Sequence, residues 1–308
     1  MSQVTTAAPA AVGFLGKIPA ERDFVRINAG GFLQVGLDRW FQEEVGRLQR
    51  ALLPEETACF LLSPAASAQS FVGVLAPGQD ALGRAFPVVI FSALDTNRVR
   101  EGLPLLPLQF ASFLEASARL AVAARGLAAA QLAAEIDTLA SGCRTAVGVP
   151  DVNALLVRSS CSDLRAAVGG PPEAGAYALT TLVAACSQAK ASDSPARVLV
   201  LDCPARSDEL RTFWLELVRR NLGAKVPVPS LLWTRESGRL LVALGPAPSP
   251  MLAYLADPDR KNSRLWPLRT LDPGARAHAM EKLSPAQGRV LAAGEASLAD
   301  VLHAFALT

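Results

Sequence analysis

The side chains that could do chemistry are charged residues in the N-terminal part of the chain, most of them in two glycine-containing segments. They are Lys17, Asp23, Asp38, Asp80 and Arg84. Because both signs occur in similar numbers, we expect ion pairs that fix the geometry of the loops. Alternatively, the two segments meet and present a polar rim around Phe24, Trp40 and Phe86 to a partner.

A nucleotide-binding or hydrolytic site is the enzymatic alternative. Lys17 follows a glycine, but Ala11 and Ile18 stand where a phosphate-binding loop needs a glycine and a Ser or Thr. An enzyme would use Lys17 and Arg84 to hold an anion, with Asp23 or Asp80 as the base. Neighbouring cations lower the pKa of a carboxylate and weaken it as a base. We therefore expect no catalytic residues.

Histidine and cysteine give no further sign of a catalytic or metal site. His278 and His303 both lie in the C-terminal segment, where we expect each to be either at the surface or satisfied by hydrogen bonds. Most nucleophilic mechanisms then lack a base. The cysteines lack metal-binding spacing, and their odd number favours reduced, buried thiols: Cys59, Cys143, Cys161, Cys186 and Cys203. We expect no metal and no cofactor.

Composition indicates a globular protein with a large core. The 308 residues are 51% hydrophobic, and the net charge is only +2 without a block of either sign. Nucleic acid is therefore an improbable partner. The start of the chain does not resemble a secretory signal, and charges interrupt the apolar runs, so we expect a cytoplasmic protein without membrane insertion.

Hydrophobic periodicity predicts alternating helices and strands. In the first half we expect strands at 12–15, 59–62, 71–75 and 86–94, an amphipathic helix over 31–51, and helices over 108–139 with a break at Gly126. In the second half we expect a helix over 152–168, a central strand over 198–201, a helix around 210–218 and a hairpin of 230–234 with 239–243. Residues 177–187 fit either type, and 268–308 are predicted helical.

Several of these segments together resemble the signature blocks of the TagF (ImpM) family of type VI secretion accessory proteins. Order and spacing agree for Gly13–Pro19 with Asp23, Phe24 and Val25, for Leu37, Asp38, Trp40 and Gln42, for Gly73–Leu75 with Pro77, Asp80, Gly83, Arg84, Phe86 and Pro87, and for Pro229–Thr234 including Trp233. Arg22 departs from the family pattern, which has glycine there, so its turn should avoid positive φ or be strained.

The resemblance implies both a fold and a function. The implied fold is an α/β three-layer sandwich, with a central mixed β-sheet flanked by helices, over residues 12–267. Outside the range of the resemblance, the sequence pattern predicts a disordered tail at residues 1–11 and a helical C-terminal extension at 268–308. The function is non-enzymatic, post-translational repression of the type VI secretion system of a Gram-negative bacterium. The implied partners are secretion components such as the forkhead-associated scaffold protein. A structural subunit of the secretion apparatus is a third hypothesis.

Overall fold

A computed structural model describes residues 11–48, 57–142, 149–191, 198–234, 236–260 and 262–306. These residues contain one mixed sheet, whose strands are β1 Val12–Gly16, β2 Val25–Ile27, β3 Ala58–Leu62, β4 Gln69–Ala76, β5 Val88–Asp95, β6 Val200–Pro204, β7 Ser230–Trp233, β8 Arg239–Ala243 and β9 Leu265–Pro267. The tail predicted for residues 1–11 lies, except for Ala11, outside the described residues.

The sheet unites both halves of the chain. Its strand order is β2-β1-β5-β4-β3-β7-β8-β6-β9, and all neighbours are antiparallel except β6 and β9. Phe60 of β3 pairs with Leu232 of β7, which joins the N-terminal strands to the C-terminal ones. The predicted hairpin is confirmed as β7 and β8, and β6 lies next to the edge strand β9 instead of at the centre.

Helices cover both faces of the sheet. They are α1 Gly30–Gln34, α2 Leu37–Arg47, α3 Thr96–Gly102, α4 Leu106–Gln109, α5 Ala111–Ala123, α6 Ala129–Gly142, α7 Val152–Leu156, α8 Cys161–Val168, α9 Pro172–Ala191, α10 Asp208–Leu222, α11 Met251–Ala256, α12 Pro273–Glu281, α13 Pro285–Ala292 and α14 Leu298–Phe305. Within the described ranges, none of the helices combines the length and the apolar character needed to cross a bilayer.

The two faces bury separate cores, because side chains alternate along each strand. Phe60 points into a core that also holds Phe41 of α2 and Tyr254 of α11. Leu61, the next residue, points into a larger core with Trp214 of α10. The predicted three-layer α/β sandwich with a central mixed sheet is therefore confirmed.

The C-terminal segment is helical, and its helices share the larger core. Leu291 of α13 and Phe305 of α14 are buried in it. The amide of Asn221 on α10 donates to the carbonyl oxygen of Phe305 at 3.4 Å. The described part of the segment predicted as an extension, 268–306, thus packs against the helices of the sandwich.

Two helix predictions need correction. The single helix over 31–51 is wrong: it is divided into α1 and α2 at Gly36, which has φ +76°, and residues 49–51 lie outside the described ranges. The helix over 152–168 is also divided, because Ser160 starts α8 with a capping box. Residues 177–187, left open between helix and strand, lie within α9. The expected break at Gly126 is confirmed by a 3-10 turn that ends there.

Close packing across the sheet predicts that adding a side chain at Gly73 of β4 destabilises the fold. A Cβ atom there would lie 2.1 Å from the carbonyl oxygen of Ile90 and 2.8 Å from Cζ of Phe60. Overpacking of this kind should lower the free energy of unfolding of Gly73→Ala by about 3 kcal/mol. Urea denaturation measures the change.

The matched control is Gly288 in α13, where an added Cβ meets nothing within 4 Å. Gly288→Ala should raise the free energy of unfolding by about 0.5–1 kcal/mol, since alanine favours helices. Equal changes in the two variants would contradict the described packing at Gly73.

Candidate functional site

Two loops meet at one end of the sheet, and strand pairing places them there. Because β1 and β5 are antiparallel neighbours, the chain leaving β1 passes the chain entering β5. A Cβ at Gly78 would lie 2.6 Å from the carbonyl oxygen of Phe86 and 2.8 Å from that of Lys17, so glycine permits this approach. We call residues 17–24 and 77–87 the paired loops.

The Asp80 carboxylate organises the paired loops. Its Oδ2 atom accepts from Lys17 Nζ at 2.9 Å and from Arg84 Nε at 2.7 Å. Its Oδ1 atom accepts from the backbone amides of Leu82, at 3.0 Å, and Arg84, at 2.9 Å. The side chains of Asp80 and Lys17 are buried. The predicted ion pairing is therefore found for Lys17, Asp80 and Arg84.

This environment determines the charge state of Asp80. Burial alone would raise the pKa of the carboxyl, but the hydrogen bonds from Lys17 and from Arg84 outweigh it and hold the pKa well below its ordinary value of 3.8. A carboxylate with so low a pKa and four donors on its two oxygens is poorly suited to act as a general base. Asp80 fits a structural role instead.

Further hydrogen bonds tie the two loops directly to each other. The amide of Ala81 donates to the carbonyl oxygen of Glu21 at 2.8 Å. The guanidinium of Arg84 donates to the carbonyl oxygen of Arg22 at 2.5 Å. One arginine thus contacts both the central carboxylate and the opposite loop, so the loops form one unit.

An aromatic pair completes this unit. The Phe24 ring packs edge to face against Phe86, with ring centroids 4.7 Å apart. Lys17 Nζ lies 5.0 Å from the centroid of Phe24, and the guanidinium of Arg26 lies 5.2 Å from it. Contacts between cations and an aromatic face add attraction of about 0.5–1 kcal/mol when exposed. Phe24 is therefore held by ionic and apolar contacts together.

The outward side of the paired loops combines charge with one apolar side chain. Asp23 is exposed and accepts from the amide of Phe24 at 2.7 Å. Leu82 is 63% exposed at the tip of the second loop. We call Arg22, Asp23, Leu82 and Arg84 the loop surface. The sequence analysis missed Leu82, although a leucine between Asp80 and a turn glycine was a possible signal.

The remaining predicted residues lie elsewhere. Asp38 is half-buried in the first turn of α2. Trp40 packs edge to face against Phe41 at 4.9 Å, and within the described residues its buried indole N–H has no hydrogen-bond partner. Trp233 is buried in the core on β7. Its burial agrees with the core anchor that tryptophan also suggested, and its role as an interaction residue stays a prediction.

The cysteines and histidines match the predicted environments. Burial raises the pKa of Cys186 to about 12 and that of Cys203 well above its ordinary value, so both thiols are poor nucleophiles. Both histidines are exposed. In the described part of the chain, no group of three or more His, Cys, Asp or Glu side chains is placed to hold a metal. Cys143 lies outside the described residues.

Two buried charged side chains that the sequence analysis missed, Glu44 and Arg239, bind the backbone of α11. Glu44 of α2 accepts from the Leu252 amide at 2.8 Å, at the start of α11. Arg239 of β8 donates to the Tyr254 carbonyl at 3.0 Å, near the end of that helix, and to Asp202 at 2.9 Å. These residues position the smaller layer and lie outside the paired loops.

The fold and the paired loops define the class of protein: an α/β sandwich whose N-terminal strands carry an ion-paired loop surface. Residues 13–139 match the family described as TagF N-terminal domain, Type VI secretion system-associated. The match agrees with the resemblance over this part of the chain, and it includes the five paired-loop residues of the ionic and aromatic cluster: Lys17, Phe24, Asp80, Arg84 and Phe86.

Two further comparisons add little beyond the family. A structure described as the crystal structure of PA0076 from Pseudomonas aeruginosa PAO1 is similar with a TM-score of 0.48 and 17% identity, over 83% of this chain and 98% of that one. The comparison with curated proteins gave no match.

Arg22 stands where the family pattern has glycine, and the sequence analysis expected its turn to avoid positive φ or to be strained. In the described ranges, the non-glycine residues with positive φ are Asn28 and Ala66. The turn at Arg22 therefore avoids positive φ.

The lowered pKa of Asp80 predicts acid sensitivity. A carboxyl whose pKa is lower in the folded state stabilises that state fully above its unfolded pKa and loses this contribution as the pH falls through the folded value. We expect the free energy of unfolding to decline below about pH 4, and less steeply in Asp80→Asn. Urea denaturation across this range measures both slopes, and identical slopes would contradict the ion pairing.

Proposed function

We propose that this chain is a non-enzymatic regulator that represses the type VI secretion system after translation by binding one of its protein components. The Asp80 ion network is the observation that carries the proposal, because it fixes a loop surface within the secretion-associated domain. A surface fixed before binding loses less conformational entropy when a partner docks.

The composition of the loop surface fits protein recognition. Protein interfaces place apolar anchors at the centre and polar groups at the rim. Leu82 supplies an exposed apolar side chain, and Arg22, Asp23 and Arg84 are exposed in the same paired loops with charges of both signs. This mixture favours a partner with a small apolar depression bordered by complementary charges.

The proposed partner is a cytoplasmic component of the secretion system. The matched family is described as associated with that system. The sequence resemblance points more narrowly to the forkhead-associated scaffold protein. Repression by occupying such a component requires no bond breaking, and the low pKa of Asp80 agrees with a carboxylate that organises loops.

Replacement of Leu82 tests the proposal. Affinity purification of full-length protein from the native host, followed by mass spectrometry, should recover a secretion component with the wild type. Leu82→Asp should weaken capture about tenfold or more, as expected for a buried anchor. Thermal unfolding should change little, because an exposed substitution alters stability by about 0.5 kcal/mol or less.

Val157→Asp is the matched control, since Val157 is 60% exposed on another part of the chain, at the end of α7. It should retain full capture. Equal loss in the two variants, or capture of no secretion component by the wild type, would contradict the proposal. A phosphate-releasing activity that disappears in Asp23→Ala would favour the enzymatic alternative. A fixed copy number in purified assemblies would favour the structural-subunit hypothesis.

A further inference from the structure

A cleft of about 860 Å³ lies in the C-terminal half of the chain, outside the paired loops. Its walls come from α8, the start of α10, the turn between β7 and β8, and the segment leading into α12. Four arginines from separate elements line it: Arg158, Arg206, Arg269 and Arg276.

The positive charge of this cleft is largely uncompensated. Arg158, Arg206 and Arg269 are exposed, and with the described residues they form no ion pair. Arg276 is held by the carbonyl oxygen of Thr270, to which its Nε donates at 2.9 Å. No acidic partner is among these contacts, so the four guanidinium groups face a shared space with their charge unbalanced.

Two carboxylates at the cleft, Asp163 and Asp208, have partners other than the lining arginines. Asp163 is the one carboxylate among the described lining residues, and it accepts from the backbone amide and the hydroxyl of Ser160, at 2.8 and 3.0 Å, where it caps α8. Asp208, in the first turn of α10, pairs with Arg211. Neither Asp163 nor Asp208 forms an ion pair with a lining arginine.

We propose that this cleft binds a phosphate monoester. Four arginines against one carboxylate match a ligand group with more than a single negative charge. A phosphate monoester carries about −1.5 to −2 and three acceptor oxygens, whereas a carboxylate carries one charge and two oxygens. The guanidinium fork donates paired hydrogen bonds to such oxygens.

The dimensions indicate a ligand larger than free phosphate. Sites for small organic molecules commonly measure about 300–1,000 Å³, and this cleft lies within that range. Leu271 lines the cleft and is 92% exposed, which offers an apolar contact to the rest of the ligand. The ester is carried either by a free nucleotide-sized molecule or by a phosphorylated protein side chain, which share this chemistry.

Isothermal titration calorimetry on the full-length chain tests the site. The probes are adenosine monophosphate, a phosphoserine peptide and the same peptide without phosphate. At least one phosphorylated probe should bind, and Arg206→Gln/Arg269→Gln should weaken its binding about tenfold or more, because hydrogen bonds to charged groups are strong. Binding of the nucleotide alone indicates a free ligand, and binding of the phosphopeptide alone indicates a phosphorylated protein.

Arg119→Gln/Arg289→Gln is the charge-matched control, since both arginines are exposed and neither lines the cleft. It should leave binding unchanged. Circular dichroism verifies folding of each variant, and Arg158→Gln replaces the double variant if that one unfolds. Failure of both phosphorylated probes to bind, equal weakening by the control, or equal binding of the unphosphorylated peptide would each overturn the proposal.

Discussion

The buried carboxylate of Asp80 is the constraint on which the architecture of the N-terminal loops depends. It neutralises Lys17, which would otherwise be a buried, unpaired charge, and it accepts from two backbone amides of its own loop. Such a group is costly to bury alone and is tolerated because every oxygen has a donor. Arg84 extends the arrangement to the opposite loop through the Arg22 carbonyl. The two loops consequently act as one rigid surface.

Local patterns allowed much of the fold to be predicted. The strands β3, β4 and β5 and the hairpin of β7 and β8 follow from apolar runs bounded by turn residues. The division of a helix at Gly36 was missed, because the apolar spacing continues across this glycine, which takes a positive φ. The C-terminal helices were predicted, but periodicity does not show which core a helix joins.

The candidate site could be predicted only in part. Residue types indicated that Lys17, Asp80 and Arg84 would pair, but their closeness arises from the pairing of β1 with β5, which are far apart in sequence. The local sequence does not distinguish a core tryptophan from an interface tryptophan. Trp233 is buried because it lies on β7, an inner strand of the sheet. The basic cleft was missed for the same reason, since its four arginines come from three segments that are far apart in sequence.

The central claim is that Asp80 holds the paired loops as one preformed surface, and hydrogen–deuterium exchange tests it most directly. In the wild type, the amides of Leu82 and Arg84, which donate to Asp80, should exchange slowly. In Asp80→Asn they should exchange much faster, while amides in the central strand β4 keep their protection. Equal protection of the Leu82 and Arg84 amides in the two proteins would contradict the account.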